Sequence, residues 1–105
     1  MDEPDKRERL ARFWKKLLRL TRGRIDILNA LKITAEEEKD AAFRKIVRNI
    51  HESIEQGVSL SEALGDYPSE FSLSVREMIR SAEKSGAWDE ITLEIIAGLE
   101  EGTFD

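Results

Sequence analysis

Apolar residues return every three or four positions along nearly the whole chain, which is the period of one face of an α-helix. Between residues 8 and 22, Leu10, Phe13, Trp14, Leu17, Leu18 and Thr21 share one face, while Arg12, Lys15, Lys16, Arg19 and Arg22 occupy the rest. The pattern predicts an amphipathic helix, with Asp5 placed to cap it, Glu8 in its first turn beside the positive end of the dipole, and Gly23 ending it. A second helix is expected from Asp26, with Ile27, Ala30, Leu31 and Thr34 on one stripe and an end near residue 38, after Glu36 and Glu37. The third stripe is the clearest: Phe43, Ile46, Val47, Ile50 and Ile54, capped by Asp40 and closed at Gly57.

Ser59 followed by Glu62 has the form of a capping box, and Val58 stands where it could staple against Ala63. A short helix over 60–65 follows from this, broken by Tyr67-Pro68 because the residue before proline avoids the helical region. Ser72 or Ser74 opens a fifth helix with Val75, Met78, Ile79 and Ala82 inward and Gly86 at its end. Trp88, Ile91, Ile95 and Leu99 make the sixth stripe, with Asp89 and Glu90 near its start and Gly102 beyond it. No stretch alternates apolar and polar residues long enough to read as a strand, and no Asn-Gly or Asp-Gly hairpin signal occurs. Short turns favour antiparallel neighbours, so the expected fold is all-α: a compact antiparallel six-helix bundle. It should form a single domain over residues 8–101, between a flexible segment at 1–7 and a tail at 102–105.

Composition narrows the functional classes. With 105 residues, 40% hydrophobic and 37% charged, the chain can build one modest core under a heavily solvated surface, and a two-domain enzyme is excluded. A large enclosed substrate cavity would compete with that core for apolar side chains, so surface binding is the expected mode of action. Without cysteine there is no disulfide, thiolate nucleophile, cysteine-ligated zinc or iron–sulfur cluster, and nothing calls for an oxidising compartment. The longest apolar runs, such as Ile95-Ile96-Ala97, fall far short of the ~20 residues needed to cross a bilayer. Met1-Asp2-Glu3-Pro4-Asp5 has acids where a signal peptide needs bases, so a cytoplasmic location is expected.

The net charge of −5 divides unevenly, +5 over residues 1–34 and −10 over residues 35–105. If Phe13 and Leu17 face inward, Lys15, Lys16, Arg19 and Arg22 face outward, as candidate interaction residues for an acidic protein surface or anionic phospholipid. The acidic remainder is then left for a different partner, or for a homodimer of two copies in opposite orientation. Nucleic-acid binding would need a concentrated basic face, and only this first helix could supply one.

Candidate chemistry is sparse. Ser59 and Glu62 could be imagined as nucleophile and base, but the sole histidine, His51, lies on the preceding helix, and the capping-box spacing explains the pair. Glu83, Asp89 and Glu90 flank Ser85-Gly86 and could together hold a divalent cation, yet they lack a calcium-loop spacing, and helix capping and solvation explain them more simply. Glu36-Glu37-Glu38 and Glu100-Glu101 read as solvated helix ends. With no phosphate loop and no His-Glu-x-x-His pair, no catalytic residue and no cofactor is expected.

Three ordered segments resemble the cytoplasmic domain of the type II secretion system F proteins, the inner-membrane platform family shared with type IV pilus assembly. Phe13, Leu17, Leu20, Ile25, Ile27, Ala30 and Leu31 match the first, with Arg24 and Asp26 where the family usually has Gly and Pro. Gly57-Val58-Ser59-Leu60-Ser61-Glu62-Ala63-Leu64, followed by Tyr67-Pro68-x-x-Phe71, matches the second. Met78 through Glu90 is similar to the third, with Glu83, Ser85 and Gly86 in place, Ala82 where Gly is common and Trp88 where Leu is typical. The resemblance implies a non-catalytic scaffold that contacts the secretion or pilus assembly ATPase and inner-membrane assembly proteins. The alternative from another class is a small helical nucleic-acid-binding or regulatory domain using the basic first helix.

Overall fold

The computed structural model describes residues 4–103, and in it six helices follow one another: α1 (Pro4–Arg22), α2 (Ile27–Glu37), α3 (Ala41–Glu55), α4 (Leu60–Leu64), α5 (Leu73–Ser85) and α6 (Trp88–Glu101). The order along the chain is also the order of packing. Each helix lies against the next, and α6 returns to α1, so the six close into a ring. The fold is all-α as expected, with a radius of gyration of 12.5 Å and no strand among the described residues.

Local chemistry sets most boundaries. Asp26 accepts the Asn29 N–H at 2.9 Å, and Asp40 accepts the Phe43 N–H at 3.0 Å. Ser59 and Ser72 accept the Glu62 and Val75 N–H groups, each at 3.3 Å, and each of these four bonds satisfies an amide that has no partner inside its own helix. The start of α1 differs from expectation. It begins at Pro4, where a fixed φ suits the first helical position, so residues 4–7 are helical and Asp5 sits within the first turn, near the positive dipole end. α6 lacks a side-chain cap at Ala87; Ser85 Oγ accepts the Ala87 N–H at 3.1 Å, and Asp89 and Glu90 occupy the first turn.

The centre of the ring is aromatic. Phe13 and Trp14 of α1, Phe43 of α3 and Phe71 of the α4–α5 loop are each 1% exposed. Phe13 meets Phe43 edge to face, with centroids 5.6 Å apart at 80°, and Trp14 meets Phe71 at 6.2 Å and 84°. Leu17, Leu31, Val47, Ile50, Ile79 and Ile95 fill the space around them, while Ile46, Ile54, Met78 and Ile91 end up half-buried at the margins of their stripes. Buried Thr34 and Thr92 donate their hydroxyls to carbonyls of their own helices, Ala30 at 2.7 Å and Trp88 at 2.6 Å.

The α1–α2 turn explains two departures from the family pattern. Arg24, which stands where the family usually has Gly, has φ +70°, the left-handed region that disfavours a Cβ. Asp26, which replaces Pro, has φ −65°, the value proline would impose, and uses its carboxylate as the α2 cap instead.

Two stability measurements test this account. Phe71→Ala should cost about 3–5 kcal/mol in urea unfolding, since it empties the centre of the ring. Arg24→Gly should stabilise by about 0.5 kcal/mol, the relief of left-handed strain outweighing the extra unfolded-state entropy of glycine.

Candidate functional site

The basic residues of α1 face outward on its flanks, but most of them are committed to acids elsewhere in the chain. Lys15 pairs with Glu100, Lys16 with Glu37, and Arg22 with Asp89 at 3.4 Å. Arg12 reaches Glu38 at 2.7 Å, and Arg9 reaches Glu70 at 2.5 Å. Of the four cations expected to be available to a partner, only Arg19 is exposed without an ion pair among the described residues. Arg7, Arg12, Lys15, Lys16 and Arg19 line an open groove of about 630 Å³ that runs between α1 and the Leu99-Glu100 turn of α6.

The acidic segments are correspondingly less solvated than their composition suggests. Glu38 is 5% exposed, because its carboxylate takes both the Arg12 guanidinium and the Asp40 N–H, the latter at 3.0 Å. This corrects the reading of Glu38 as part of a solvated helix end, while Glu36 and Glu37 are exposed as expected. The hydrogen bond and charge of Lys16 hold the Glu37 carboxyl below its ordinary range. Asp26 and Asp40 are lowered as well, first by the backbone N–H of Asn29 and of Phe43 respectively.

The carboxylates around the α5–α6 turn do not converge. Glu83 points instead at the start of α4, accepting the Ser61 N–H at 3.1 Å and the Ser61 hydroxyl at 2.6 Å. Asp89 faces Arg22, and among the described residues no three His, Cys, Asp or Glu side chains come together as metal ligands. Ser59 is a cap in practice. Its oxygen accepts the Glu62 N–H, and its hydroxyl lies 3.4 Å from the Glu62 carboxylate. His51 is half-buried on α3.

A feature the periodicity does not reveal forms at the C-terminal end of α1. Ile25 and Ile27, Ile54, Val58 and Leu60, and Trp88 enclose an almost wholly apolar pocket of about 410 Å³, with Thr21, Ser59 and Glu83 completing its wall. Trp88 is fixed there by its indole N–H, which donates to Thr21 Oγ1 at 2.8 Å. The three segments that carry the family resemblance all contribute to this wall, one from each side. No single stripe signals the pocket, because its residues come from the ends of several helices and the turns between them.

Comparison with known proteins shows the family. The family model described as Type II secretion system (T2SS), protein F, matches residues 13–102. Type II secretion system protein F of Vibrio cholerae serotype O1 is 30% identical over 82 residues, covering 78% of this chain and 20% of that protein. The protein of the same name from Aeromonas hydrophila is also 30% identical over 82 residues, covering 78% of this chain and 21% of its own length. The chain thus spans about a fifth of the length of these relatives. No described helix is long and apolar enough to cross a membrane.

The lowered carboxyls carry a sign for pH dependence. A group whose folded pKa lies below its unfolded value stabilises the fold above the unfolded value, and that contribution is lost as pH falls through the folded one. The melting temperature should therefore stay level from about pH 7 to pH 5 and fall below about pH 4, where Asp26, Glu37 and Asp40 protonate. In a double-mutant cycle, Glu83→Gln and Ser61→Ala should be coupled by about 1–2 kcal/mol in urea unfolding, since the carboxylate caps a helix start. Additive effects would remove Glu83 from that role.

Proposed function

This chain belongs to the type II secretion system protein F family, and we propose that it acts as a non-catalytic scaffold at the cytoplasmic face of the inner membrane. There it docks the secretion or pilus assembly ATPase and other inner-membrane assembly proteins. The observation that carries this reading is the α1–α6 groove. Its cations are held on a rigid helix whose other face is locked into the aromatic centre, and Arg19 has no partner of its own among the described residues. The Lys15–Glu100 pair is about half exposed on both sides, and such pairs contribute ~0–1 kcal/mol, so carboxylates of an acidic partner can take over the lysine at little cost. The interaction set narrows to Arg19 and Lys15 in front, with Lys16 and Arg22 tied back to Glu37 and Asp89.

Two other partners fit the groove less well. Glu8 and Glu100 line it beside the cations, whereas counterion release by nucleic acid rewards an uninterrupted basic row. Leu10, Phe13, Trp14 and Leu17 are all buried, so α1 has no apolar face to insert into a bilayer, and attachment to anionic lipid would be electrostatic alone. The absence of catalysis is supported by the engagement of Ser59 and Glu83 in capping.

Lys15→Ala combined with Arg19→Ala should weaken binding of this domain to the purified assembly ATPase about tenfold at low salt, with the difference shrinking as salt rises. Circular dichroism and the melting temperature should stay unchanged, because neither side chain reaches the core. Equal affinity of the variant and the parent across the salt series would overturn the assignment of this surface.

A further inference from the structure

We infer that the apolar pocket at the C-terminal end of α1 is a docking site for a partner protein segment that inserts aliphatic side chains between flanking lysines or arginines. Its volume, about 410 Å³, falls within the roughly 300–1,000 Å³ range of sites that bind a discrete ligand. Water inside it finds few partners. Of the polar atoms on its wall, Ser59 Oγ and the Glu83 carboxylate are engaged at the α4 start, and Thr21 Oγ1 is bonded to the Trp88 indole. Displacing such water with hydrocarbon is favourable, and the wall needs no rearrangement to accept it. Val58 marks the mouth: it contributes to the wall and yet remains 36% exposed.

The charge around the mouth selects the occupant. Glu83 is on the wall, exposed Asp26 lies between wall residues Ile25 and Ile27, and exposed Glu55 directly follows wall residue Ile54. On the basic side are Arg22, which is neutralised by Asp89 at 3.4 Å, Arg24, and exposed Lys84 beside Glu83, against the three carboxylates of Glu83, Asp26 and Glu55. The net sign is negative, so acidic segments and anionic lipid headgroups are repelled, while a basic segment with an aliphatic centre meets both the pocket and its rim. This is the opposite charge preference to that of the α1–α6 groove. The inference therefore does not depend on the groove being used, and the two surfaces would take different partners.

The test is an NMR titration of the ¹⁵N-labelled chain with the acetylated hexapeptide Lys-Lys-Leu-Leu-Lys-Lys. Saturable shifts should be confined to Ile25–Ile27, Ile54, Val58–Leu60, Glu83 and Trp88, with a Kd of about 1 mM or tighter. Trp88 fluorescence should shift in parallel, since Trp14 is sealed in the core. Glu-Glu-Leu-Leu-Glu-Glu should bind at least about tenfold more weakly, and Lys-Lys-Ser-Ser-Lys-Lys should not saturate. Val58→Lys should weaken the first peptide about tenfold, and Val58→Ser serves as the readout if the lysine variant does not keep the parent melting temperature. The inference is overturned by an absence of saturable shifts, by shifts spread along α1, by equal binding of the acidic peptide or by indifference to both Val58 variants. Phosphatidylglycerol vesicles that perturb the same residues would overturn it too, because they would make the pocket a lipid site.

Discussion

Everything in this fold depends on how α1 is buried. A ring of short helices leaves an axial space that none of them can fill alone, and α1 supplies the largest share of its filling with Phe13, Trp14 and Leu17, all at most 1% exposed. Burying side chains of this size contributes roughly 1.5–3 kcal/mol each, on the order of the whole stability of a small domain when taken together. α1 also fixes the part of the chain that has no helix of its own. The Arg9 guanidinium lies 5.1 Å over the Phe43 ring and bonds Glu70, so the loop carrying Phe71 is drawn over the same aromatic cluster. The helix that closes the ring with α6 is thus the helix that holds its centre.

This changes the meaning of the charge asymmetry. A helix that carries cations on both flanks of a buried apolar face, placed among acidic neighbours, gains pairing wherever it docks in the right register and loses it elsewhere. Arg9, Arg12, Lys15, Lys16 and Arg22 each find an acid from the later part of the chain: the α4–α5 loop, the end of α2 or α6. The exposed pairs contribute little individually. The Arg12–Glu38 pair differs, since its carboxylate is 3% exposed, and removing the arginine would strand a buried charge. Much of the difference in sign between the two parts of the chain is therefore spent within the molecule on orienting α1, and what remains for partners is the smaller excess around Arg19.

What could be read from the sequence follows the range of the interactions involved. The capping residues Asp26, Asp40, Ser59 and Ser72 act on amides three residues away, and the stripes of α3, α5 and α6 are properties of a single helix, so local pattern suffices for both. Phe71 belongs to no stripe. Only its place in the family resemblance marked it, and its ring packs against two other elements, Phe13 and Trp14 of α1 and Phe43 of α3. Glu38 looked solvated because it sits at a helix end among charges, and Glu83, exposed as expected, gave no sign of which helix start it holds; their partners, Arg12 and Ser61, are 26 and 22 residues away. Candidate binding residues fared the same way: outwardness follows from helical period, but whether a cation is free depends on what packs beside it.

The residues of the second and third resemblance segments form one junction. At Gly57, φ +100° lets the chain reverse after α3, Ser59 caps α4, and Gly86, with φ +79°, ends α5 in the left-handed conformation that permits the turn into α6. Glu83 bridges the two segments by holding Ser61, which sets the α4 start against the last turn of α5. The combined effect of these residues is geometric: they fix Val58, Leu60 and Trp88 across from Ile25, Ile27 and Ile54, so that the apolar wall at the end of α1 exists before anything occupies it. A motif rich in serine and glutamate, read from the sequence as a helix cap, is in three dimensions also the frame of an apolar pocket.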